Sequence, residues 1–323
     1  MKAFQFADVA IGLTLKDVPI PEPGHDQVLI AVKAAGLCHS DTHVVKGGGG
    51  AWMQAQSLTL GHEVAGEVVK LGPGASAFQF NVGDRVAVTL LGHPILDRDF
   101  TEAIGVGYDG GYAEFAIAYC KHLVKIPDGV SFPQAAVATD SVATAYHAVI
   151  TEGRVTKSTK VAIIGLGGLG LNGVAIAALQ GAEVYGVDIN TAKFEQATTS
   201  GAIKCVSNLD QLNDIVFDVI IDFAGVGSTT SSAVSTVKLG GCVVLVGLSA
   251  STLQLTTTSL VTRNVQLKGS VGASMEELHC VLDLIARGSI TPALEEIPFS
   301  DVPNGLERLH ENNINGRLFT IPR

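Results

Sequence analysis

A short stretch near residue 40 carries many of the side chains that could bind a metal or transfer a proton. Thiolate sulfur and imidazole nitrogen are donors that Zn2+ accepts, and a hydroxyl near an imidazole can pass a proton. Directly after an apolar run, the chain reads Cys38, His39, Ser40, Asp41, Thr42 and His43. The stretch therefore concentrates candidate donors for a metal.

Three further donors lie far from this stretch. His62 follows 24 residues after Cys38 with Glu63 beside it, and Asp140 precedes a helical run. Such separations are too long for a local metal motif. Taken singly, Cys38 is more often a small buried hydrophobe and His62 a core histidine. Asp140 alone would more often be the N-cap of a helix over 141–150. The residues themselves leave a metal site open.

A glycine-rich turn at 165–170 fits the dinucleotide-binding pattern G-x-G-x-x-G. It follows an apolar strand, opens a predicted helix, and its last glycine lies 18 residues before Asp188. Glycines there permit a tight turn and close approach of a pyrophosphate, whose charge the helix N-terminus favours. The turn consists of Gly165, Leu166, Gly167, Gly168, Leu169 and Gly170. The alternative is a βαβ unit with ordinary turn glycines.

Asp188 favours NAD(H) over NADP(H). Its carboxylate can accept hydrogen bonds from both ribose hydroxyls and would repel a 2′-phosphate. The alternative is that Asp188 only caps the helix that follows it.

The composition predicts a two-domain protein of a reducing compartment. The 323 residues, 47% of them hydrophobic, exceed one typical core. A net charge of −10 argues against a nucleic acid partner, because phosphate binding needs clustered Lys and Arg. Five scattered cysteines form no C-x-x-C pair, which favours a cytoplasmic location, and we expect no signal peptide.

The predicted elements change character near residue 141. Before it, short strands are closely punctuated by glycine and proline, which is typical of an irregular antiparallel β region; we predict strands at 27–35, 64–71, 84–88, 112–118 and 122–126. After it, strands alternate with helices, as in a parallel sheet with crossover helices. Those strands are predicted at 160–164, 183–187, 217–223, 242–246 and 265–271, and the helices between them at 190–199 and 229–237. The last fifty residues hold one predicted helix, 275–286, and a closing strand, 317–321.

Residues 161–179 are almost entirely apolar and could be mistaken for a membrane span. Their first half is β-branched and ends in four glycines within six residues. We therefore predict a buried strand, a tight turn and a buried helix, and no membrane association.

Several motifs in fixed order resemble the zinc-dependent alcohol dehydrogenases of the medium-chain dehydrogenase/reductase superfamily. They are G-L-C-H-S-D-T-H at 36–43, G-H-E-V-A-G-E-V at 61–68, G-D-R-V at 83–86, G-G-Y-A-E-F at 110–115, I-G-L-G-G-L-G at 164–170 and G-R-L-F-T-I-P at 316–322. The resemblance implies a GroES-like irregular β-barrel catalytic domain at 1–141. It further implies a Rossmann doubly wound parallel-sheet NAD-binding domain at 142–273 and a return to the catalytic domain at 274–323.

The resemblance also implies one catalytic zinc and an alcohol or carbonyl substrate. Cys38 and His62 match the first two zinc ligands, and Asp140 falls where the family often has a second cysteine; carboxylate oxygen is an acceptable zinc ligand. Glu63 matches a carboxylate near the metal that alternates with water as a ligand. Asp41 matches the group that accepts a hydrogen bond from the zinc histidine.

Further residues match proton-transfer and cofactor positions of the family. Ser40 and His43 match a relay that carries the alcohol proton to solvent. His39 and Arg317 match cationic pyrophosphate contacts, and Thr144 matches a residue beside the nicotinamide. Lys193 matches a ribose contact, although a solvated helix charge is equally common. Gly247 is a further candidate cofactor contact, and Trp52 and Leu90 are candidates for the substrate pocket.

One departure from the family concerns its second, structural zinc. The four closely spaced cysteines of that site are missing, because residues 87–109 contain no cysteine. We expect one zinc per subunit, with the packing role of the missing lobe taken by residues 94–107. Pairing of the strand at 265–271 across a two-fold axis would give a homodimer or homotetramer.

Two rival functions stay open from the sequence. One is a reductase of the same fold that acts on an activated C=C or C=N bond. The other is a nucleotide-binding protein without catalysis, against which the retained Ser40 and His43 argue, because a scaffold needs no proton relay.

Overall fold

The computed structural model describes residues 1–49, 57–90, 92–314 and 316–323. The chain divides into two compact units, Met1–Ala143 with Gly272–Arg323, and Thr144–Val271. The predicted domain boundaries, after residues 141 and 273, lie two residues from these divisions, and the separate roles of the units stay predictions.

The first unit is built mainly from β-structure. Its strands are β1 (Lys2–Phe6), β2 (Leu13–Asp17), β3 (Gln27–Gly36), β4 (Leu58–Thr59), β5 (Glu63–Leu71), β6 (Arg85–Val88), β7 (Phe115–Tyr119) and β8 (Leu123–Lys125), then β15 (Leu294–Ile297) and β16 (Arg317–Thr320). One sheet has the order β2-β1-β4; the other runs β15-β16-β3-β5-β6-β8, with β7 also paired to β3. The last strand of the chain thus joins the sheet that begins near its start.

Short helices connect and cover these strands. They are α1 (His39–Val45), α2 (Phe132–Val137), α8 (Met275–Ala286) and α9 (Val302–His310). Helix α2 begins at a capping box in which Ser131 accepts from the Gln134 amide, and it packs against β3 and β5. It continues into a wide π-helical turn, Ala138–Val142. Short 3-10 turns lie at Ala75–Phe78, Ile95–Asp97, Phe100–Glu102, Cys120–His122 and Phe299–Asp301.

The interval at residues 87–109, which lacks cysteines, forms a loop that the carboxylate of Glu102 fastens to the first unit. Ile104 is 1% exposed and belongs to the core of the first unit. Glu102 accepts from Lys121 Nζ at 2.8 Å and lies 3.1 Å from His122 Nε2. The loop therefore contributes both an apolar anchor and an ion pair, and its replacement of a metal-bound lobe stays a prediction.

The second unit contains a six-stranded, wholly parallel sheet. Its strands are β9 (Lys160–Ile164), β10 (Glu183–Val187), β11 (Lys204–Val206), β12 (Val219–Asp222), β13 (Cys242–Leu245) and β14 (Gln266–Gly269). Their order β11-β10-β9-β12-β13-β14 is that of the doubly wound dinucleotide-binding fold. Strands β9 and β12 are buried over almost their full length because such sheets are covered on both faces.

The helices of the second unit follow its strands. They are α3 (Ala143–Tyr146), which leads in from the first unit, α4 (Gly168–Leu179), α5 (Phe194–Thr199), α6 (Ser228–Thr236) and α7 (Thr257–Val261). A π-helical turn (His147–Glu152) follows α3, and 3-10 turns lie at Thr191–Lys193 and Leu209–Leu212. The apolar segment 161–179 forms β9, the glycine turn and α4, as predicted. None of the helices in the described part of the chain is long and apolar enough to cross a membrane.

The sequence-based expectation of one helix and one strand in the last fifty residues was wrong. The last fifty residues hold two helices and two strands, because α9 and β15 accompany the predicted pair. Helix α9 carries Pro303 and Gly305, yet it buries Val302, Leu306 and Leu309 and packs against α1. Tertiary packing there overrides weak local propensity.

The fastening of the loop predicts the effect of Glu102→Gln. At pH 7 we expect the free energy of unfolding to fall by about 1 kcal/mol, because charge-assisted hydrogen bonds are lost. Chiefly the hydrogen bond from Lys121 lowers the pKa of Glu102. The stabilisation is therefore present above the ordinary carboxyl pKa and is lost as pH falls through the lowered one.

Urea unfolding midpoints at pH 7 and below about pH 4 would measure this. The matched control is Glu307→Gln, whose pair with Lys46 has both side chains 47% exposed and should contribute nothing measurable. Equal effects of the two substitutions would contradict the fastening role.

Candidate functional site

Three side chains from distant parts of the first unit converge at one point. The possible ligand atoms of Cys38, His62 and Asp140 all lie within 4.8 Å of one another. Cys38 Sγ lies 3.3 Å and His62 Nε2 lies 3.5 Å from Asp140 Oδ2. Tetrahedral zinc with bonds of about 2.0–2.3 Å separates its ligand atoms by roughly 3.3–3.8 Å. The donor types, and the two separations that involve Asp140, therefore fit Zn2+.

Each donor is placed by a different break in regular structure. Cys38 is the N-cap of α1, and His62 lies in the connection between β4 and β5. Asp140 lies inside the π-helical turn that follows α2. The alternative interpretation of Asp140 as a helix N-cap was wrong, because the helix already begins at Phe132. Wide π turns often occur at functional sites.

A buried ion pair adjoins the three donors. Arg317 Nε and Nη2 donate to the two oxygens of Glu63 at 3.1 and 2.5 Å, and Nη2 also lies 3.4 Å from Asp140 Oδ2. The Ser141 amide donates to Glu63 at 3.1 Å. Gly36 makes this approach feasible, since a Cβ there would lie 1.8 Å from a Glu63 oxygen. A pyrophosphate contact by Arg317 would require its guanidinium to leave these carboxylates, and that role stays a prediction.

The buried charges of the cluster shift the pKa values of its members. Burial alone would lower the pKa of His62, but the charges of Asp41 and Cys38 outweigh it and raise that pKa well above its usual value. Burial raises the pKa of Glu63 to about 7, although Arg317 opposes the shift. Acidic groups outnumber cations, so a bound dication would relieve their repulsion. This excess of anionic donors is a second reason why the site fits a metal.

Asp41 connects the donors to a residue that the sequence analysis missed. Its Oδ1 lies 3.3 Å from His62 Nδ1, and its Oδ2 accepts from the Tyr112 hydroxyl at 2.7 Å. The Cys38 amide also lies 3.4 Å from this carboxylate. Tyr112 is fully buried. Its only signal in the sequence was a hydroxyl-bearing residue within the G-G-Y-A-E-F segment.

The proposed proton-relay residues lie on the surface of α1. Ser40 and His43 are both exposed, and their spacing of three residues places them on one face of the helix. Ser40 Oγ lies 3.6 Å from Cys38 Sγ. His39 is also exposed at the start of this helix. Helix α1 thus joins the buried donors to solvent over a single turn.

The glycine turn has the shape that a pyrophosphate requires. Gly165 adopts φ +85°, and a Cβ on Gly170 would lie 1.7 Å from the carbonyl oxygen of Gly165. A Cβ on Gly167 would meet nothing within 4 Å, so the space in front of that residue is open. Gly168 and Leu169 begin α4. The turn therefore presents open backbone at a helix N-terminus, which fits a dinucleotide.

Asp188 and Lys193 form a buried pair beside this turn. Asp188 Oδ2 accepts from the Leu166 amide at 2.7 Å and lies 3.3 Å from Lys193 Nζ. Oδ1 accepts from the Asn190 amide at 2.8 Å. The side chains of Asp188 and Lys193 are 8% and 9% exposed. The alternative interpretation of Lys193 as a solvated helix charge was therefore wrong, and its contact with the ribose stays a prediction.

The remaining candidate residues lie elsewhere in the described structure. Thr144 is buried in α3, at the first position of the second unit. Gly247 follows β13, and Leu90, half-buried, follows β6. Trp52 lies outside the described residues. Within the described ranges, Cys38, His62 and Asp140 form the only cluster of three or more potential metal ligands. One zinc per subunit stays a prediction.

The Tyr112–Asp41–His62 chain predicts an effect on metal affinity. Tyr112→Phe removes one hydroxyl, so Asp41 loses the hydrogen bond that fixes it against His62. We expect affinity for Zn2+ to fall about tenfold. Competition with a chromophoric chelator measures this without reference to turnover. Tyr108→Phe is the control, because Tyr108 contacts Tyr119 edge-on in a neighbouring loop; equal zinc affinity in both variants would refute the effect.

Two family models match the chain. The alcohol dehydrogenase GroES-like domain matches residues 24–128, and the zinc-binding dehydrogenase model matches residues 168–287. The first range contains Cys38 and His62, and the second begins within the glycine turn at Gly168.

Full-length relatives agree with these models. An alcohol dehydrogenase of Geobacillus stearothermophilus is 31% identical, with 98% of each chain covered. The acetophenone reductase of Geotrichum candidum, solved in complex with NAD, is 32% identical with a TM-score of 0.88, over 99% of this chain and 96% of that one. The alcohol dehydrogenase of Aeropyrum pernix is 26% identical with a TM-score of 0.90 over the whole of both chains. The chain belongs to the zinc-type alcohol dehydrogenases of the medium-chain dehydrogenase/reductase superfamily, with a GroES-like domain and a Rossmann-type domain.

Proposed function

We propose that Cys38, His62 and Asp140 hold the zinc ion of this enzyme, an NAD-linked alcohol dehydrogenase that interconverts an alcohol and an aldehyde or ketone. The convergence of the three donor atoms within 4.8 Å carries the proposal. A catalytic zinc site has three protein ligands and one open position. Glu63, engaged by Arg317 in this structure, or water completes the set.

When bound, zinc supplies a Lewis acid that polarises the oxygen of the substrate. Asp41 accepts from His62 Nδ1, which directs Nε2 toward Asp140 and the metal position. Ser40 takes the hydroxyl proton of the substrate as its own hydroxyl proton passes to His43, on the same face of α1, and from there to solvent. The hydrogen on the alcohol carbon leaves as a hydride, which the bound NAD would accept. The chain thus binds and orients the alcohol while it removes the proton.

The glycine turn and its surroundings bind the dinucleotide. Gly167 and the first amides of α4 face the pyrophosphate, and Asp188 accepts from the ribose hydroxyls with Lys193 beside it. We assign further cofactor contacts to His39, Thr144 and Gly247, and to Arg317 once its guanidinium has left Glu63 and Asp140. The open space at Gly167 supports this assignment most directly.

We assign the enzyme to the cytoplasm as a homodimer or homotetramer. All five cysteines are free thiols, as a reducing compartment permits. Strand β14 is the edge of its sheet in the described structure, and Val261 and Val271 near it are 77% and 44% exposed. An exposed edge with apolar neighbours is suited to pairing across a two-fold axis.

Alcohol-dependent formation of NADH tests the activity directly. A panel of primary and secondary alcohols, followed by NADH absorbance, should give turnover with at least one of them. Reduction of an activated C=C or C=N bond with no reaction of any alcohol or carbonyl would contradict the proposal.

The ligand assignment predicts the behaviour of Asp140→Ala. We expect zinc content and turnover to be lost together, because two ligands do not retain the ion. The control is Ser131→Ala, which removes the actual cap of α2 and should cost about 0.5–2 kcal/mol of stability while zinc and rate persist. An Asp140→Ala protein with full zinc and full rate would remove Asp140 from the ligand set.

The cofactor assignment predicts the behaviour of Asp188→Ala. We expect weaker binding of NAD and a narrower preference for NAD over NADP, since the charge that repels a 2′-phosphate is removed. Glu183→Ala, at the opposite end of β10, is the control and should leave both dissociation constants unchanged. A wild-type enzyme that prefers NADP would contradict the role of Asp188.

A further inference from the structure

Asp222 is a fully buried carboxylate with no place in the function described so far. It ends β12, between β9 and β13, where it stands opposite Ile164 and Leu245 in the register. Ligands of doubly wound sheets bind outside the carboxyl ends of the strands. Asp222 therefore lies directly beneath the edge at which the glycine turn begins.

Four donors converge on the two oxygens of this carboxylate. Oδ1 accepts from the amides of Ala224 and Gly225 at 3.0 and 2.9 Å. Oδ2 accepts from the hydroxyls of Thr229 and Thr230, at the start of α6, at 2.7 and 2.8 Å. A buried charge is tolerated when its hydrogen-bonding capacity is satisfied in this way. The side chain thus fixes the connection between β12 and α6.

The backbone of the same residue fixes a second connection. The Asp222 carbonyl accepts from the amides of Val246 and Gly247, which follow β13, at 3.0 and 3.1 Å. On the other side, the Phe223 amide donates to the carbonyl of Ile164 at the end of β9 at 2.8 Å. Three adjacent strand ends are therefore tied together at Asp222 and its neighbour.

The loops fixed in this way touch backbone to backbone. A Cβ on Gly165 would lie 2.9 Å from the Ala224 amide, and a Cβ on Gly247 would lie 2.4 Å from the Ala224 carbonyl carbon. A Cβ on Gly173 of α4 would lie 2.7 Å from the Phe223 ring. The glycine turn and the start of α4 thus rest against the segment that Asp222 holds.

We infer that Asp222, with Thr229 and Thr230, is a positioning residue for the dinucleotide: it holds the 223–227 segment in the one arrangement that supports the glycine turn. The inference rests on the nucleotide site of the proposed function and adds residues whose hydrogen bonds hold the protein's own loops. If the segment adopts this arrangement only part of the time, the apparent affinity for the dinucleotide falls in proportion to the fraction of protein that has it.

Binding of NADH to Asp222→Ala, Asp222→Asn and Asp218→Ala tests the inference. Asp218 is the matched control, because its carboxylate accepts from the Lys160 amide at 2.7 Å and from Lys238 at the opposite end of β12. Fluorescence titration gives the dissociation constant of the folded protein, and thermal unfolding without nucleotide gives its stability.

We expect both alanine variants to unfold at lower temperature, but only Asp222→Ala to bind NADH about tenfold or more weakly. Asp222→Asn should restore most of the affinity, since its side-chain oxygen still accepts from both amides and the threonine hydroxyls can turn to accept. An NADH dissociation constant for Asp222→Ala within twofold of wild type overturns the inference. If Asp222→Ala does not fold, Thr230→Val, which keeps the side-chain shape, decides by the same measure. Wild-type protein that does not bind NADH at all would instead refute the proposed function.

Discussion

Repulsion among buried acidic groups is the constraint around which the first unit is organised. Cys38, Asp41, Glu63 and Asp140 lie together, and Arg317 and His62 are their positive partners in the described part of the chain. Burying two like charges this close to each other costs several kcal/mol of folding free energy unless counter-charges are fixed nearby. The fold meets this requirement by joining β16, near the end of the chain, to β3, so that Arg317 reaches Glu63 across 254 residues of sequence. A dication at the three converging donors would complete the balance.

The second unit has a different requirement, because its ligand is an anionic dinucleotide that backbone amides would contact. Carboxylates there do not face the phosphate; they hold loops. Asp188 fixes the Leu166 amide of the glycine turn, and Asp222 fixes the segment on which that turn rests. Close contacts between glycines leave no room for side chains, so the loops are rigid through their backbones. Rigid positioning lowers the entropy that is lost when the cofactor binds.

The sequence was sufficient where local periodicity and turn chemistry determine structure. Strand β9 and helix α8 have the predicted bounds, and the glycine turn opens α4 as its pattern indicated. Convergence of Cys38 with Asp140 could not be derived, because 102 residues separate them and no local signal marks the π turn; only the family resemblance suggested it. Tyr112 and Asp222 were missed for the same reason, since their hydrogen-bond partners become neighbours only in the tertiary structure. Strand β2 was not predicted, although Leu13 and Leu15 alternate with Thr14 and Lys16; this alternation spans only four residues of a largely exposed strand.

The central claim is that one thiolate, one imidazole and one carboxylate hold the metal. X-ray absorption at the zinc K-edge of the purified protein tests this donor set without reference to activity. A single sulfur is expected at about 2.3 Å from zinc, with the remaining ligands being nitrogen or oxygen at about 2.0–2.2 Å. A first coordination sphere with two or more sulfurs, or with none, would contradict it.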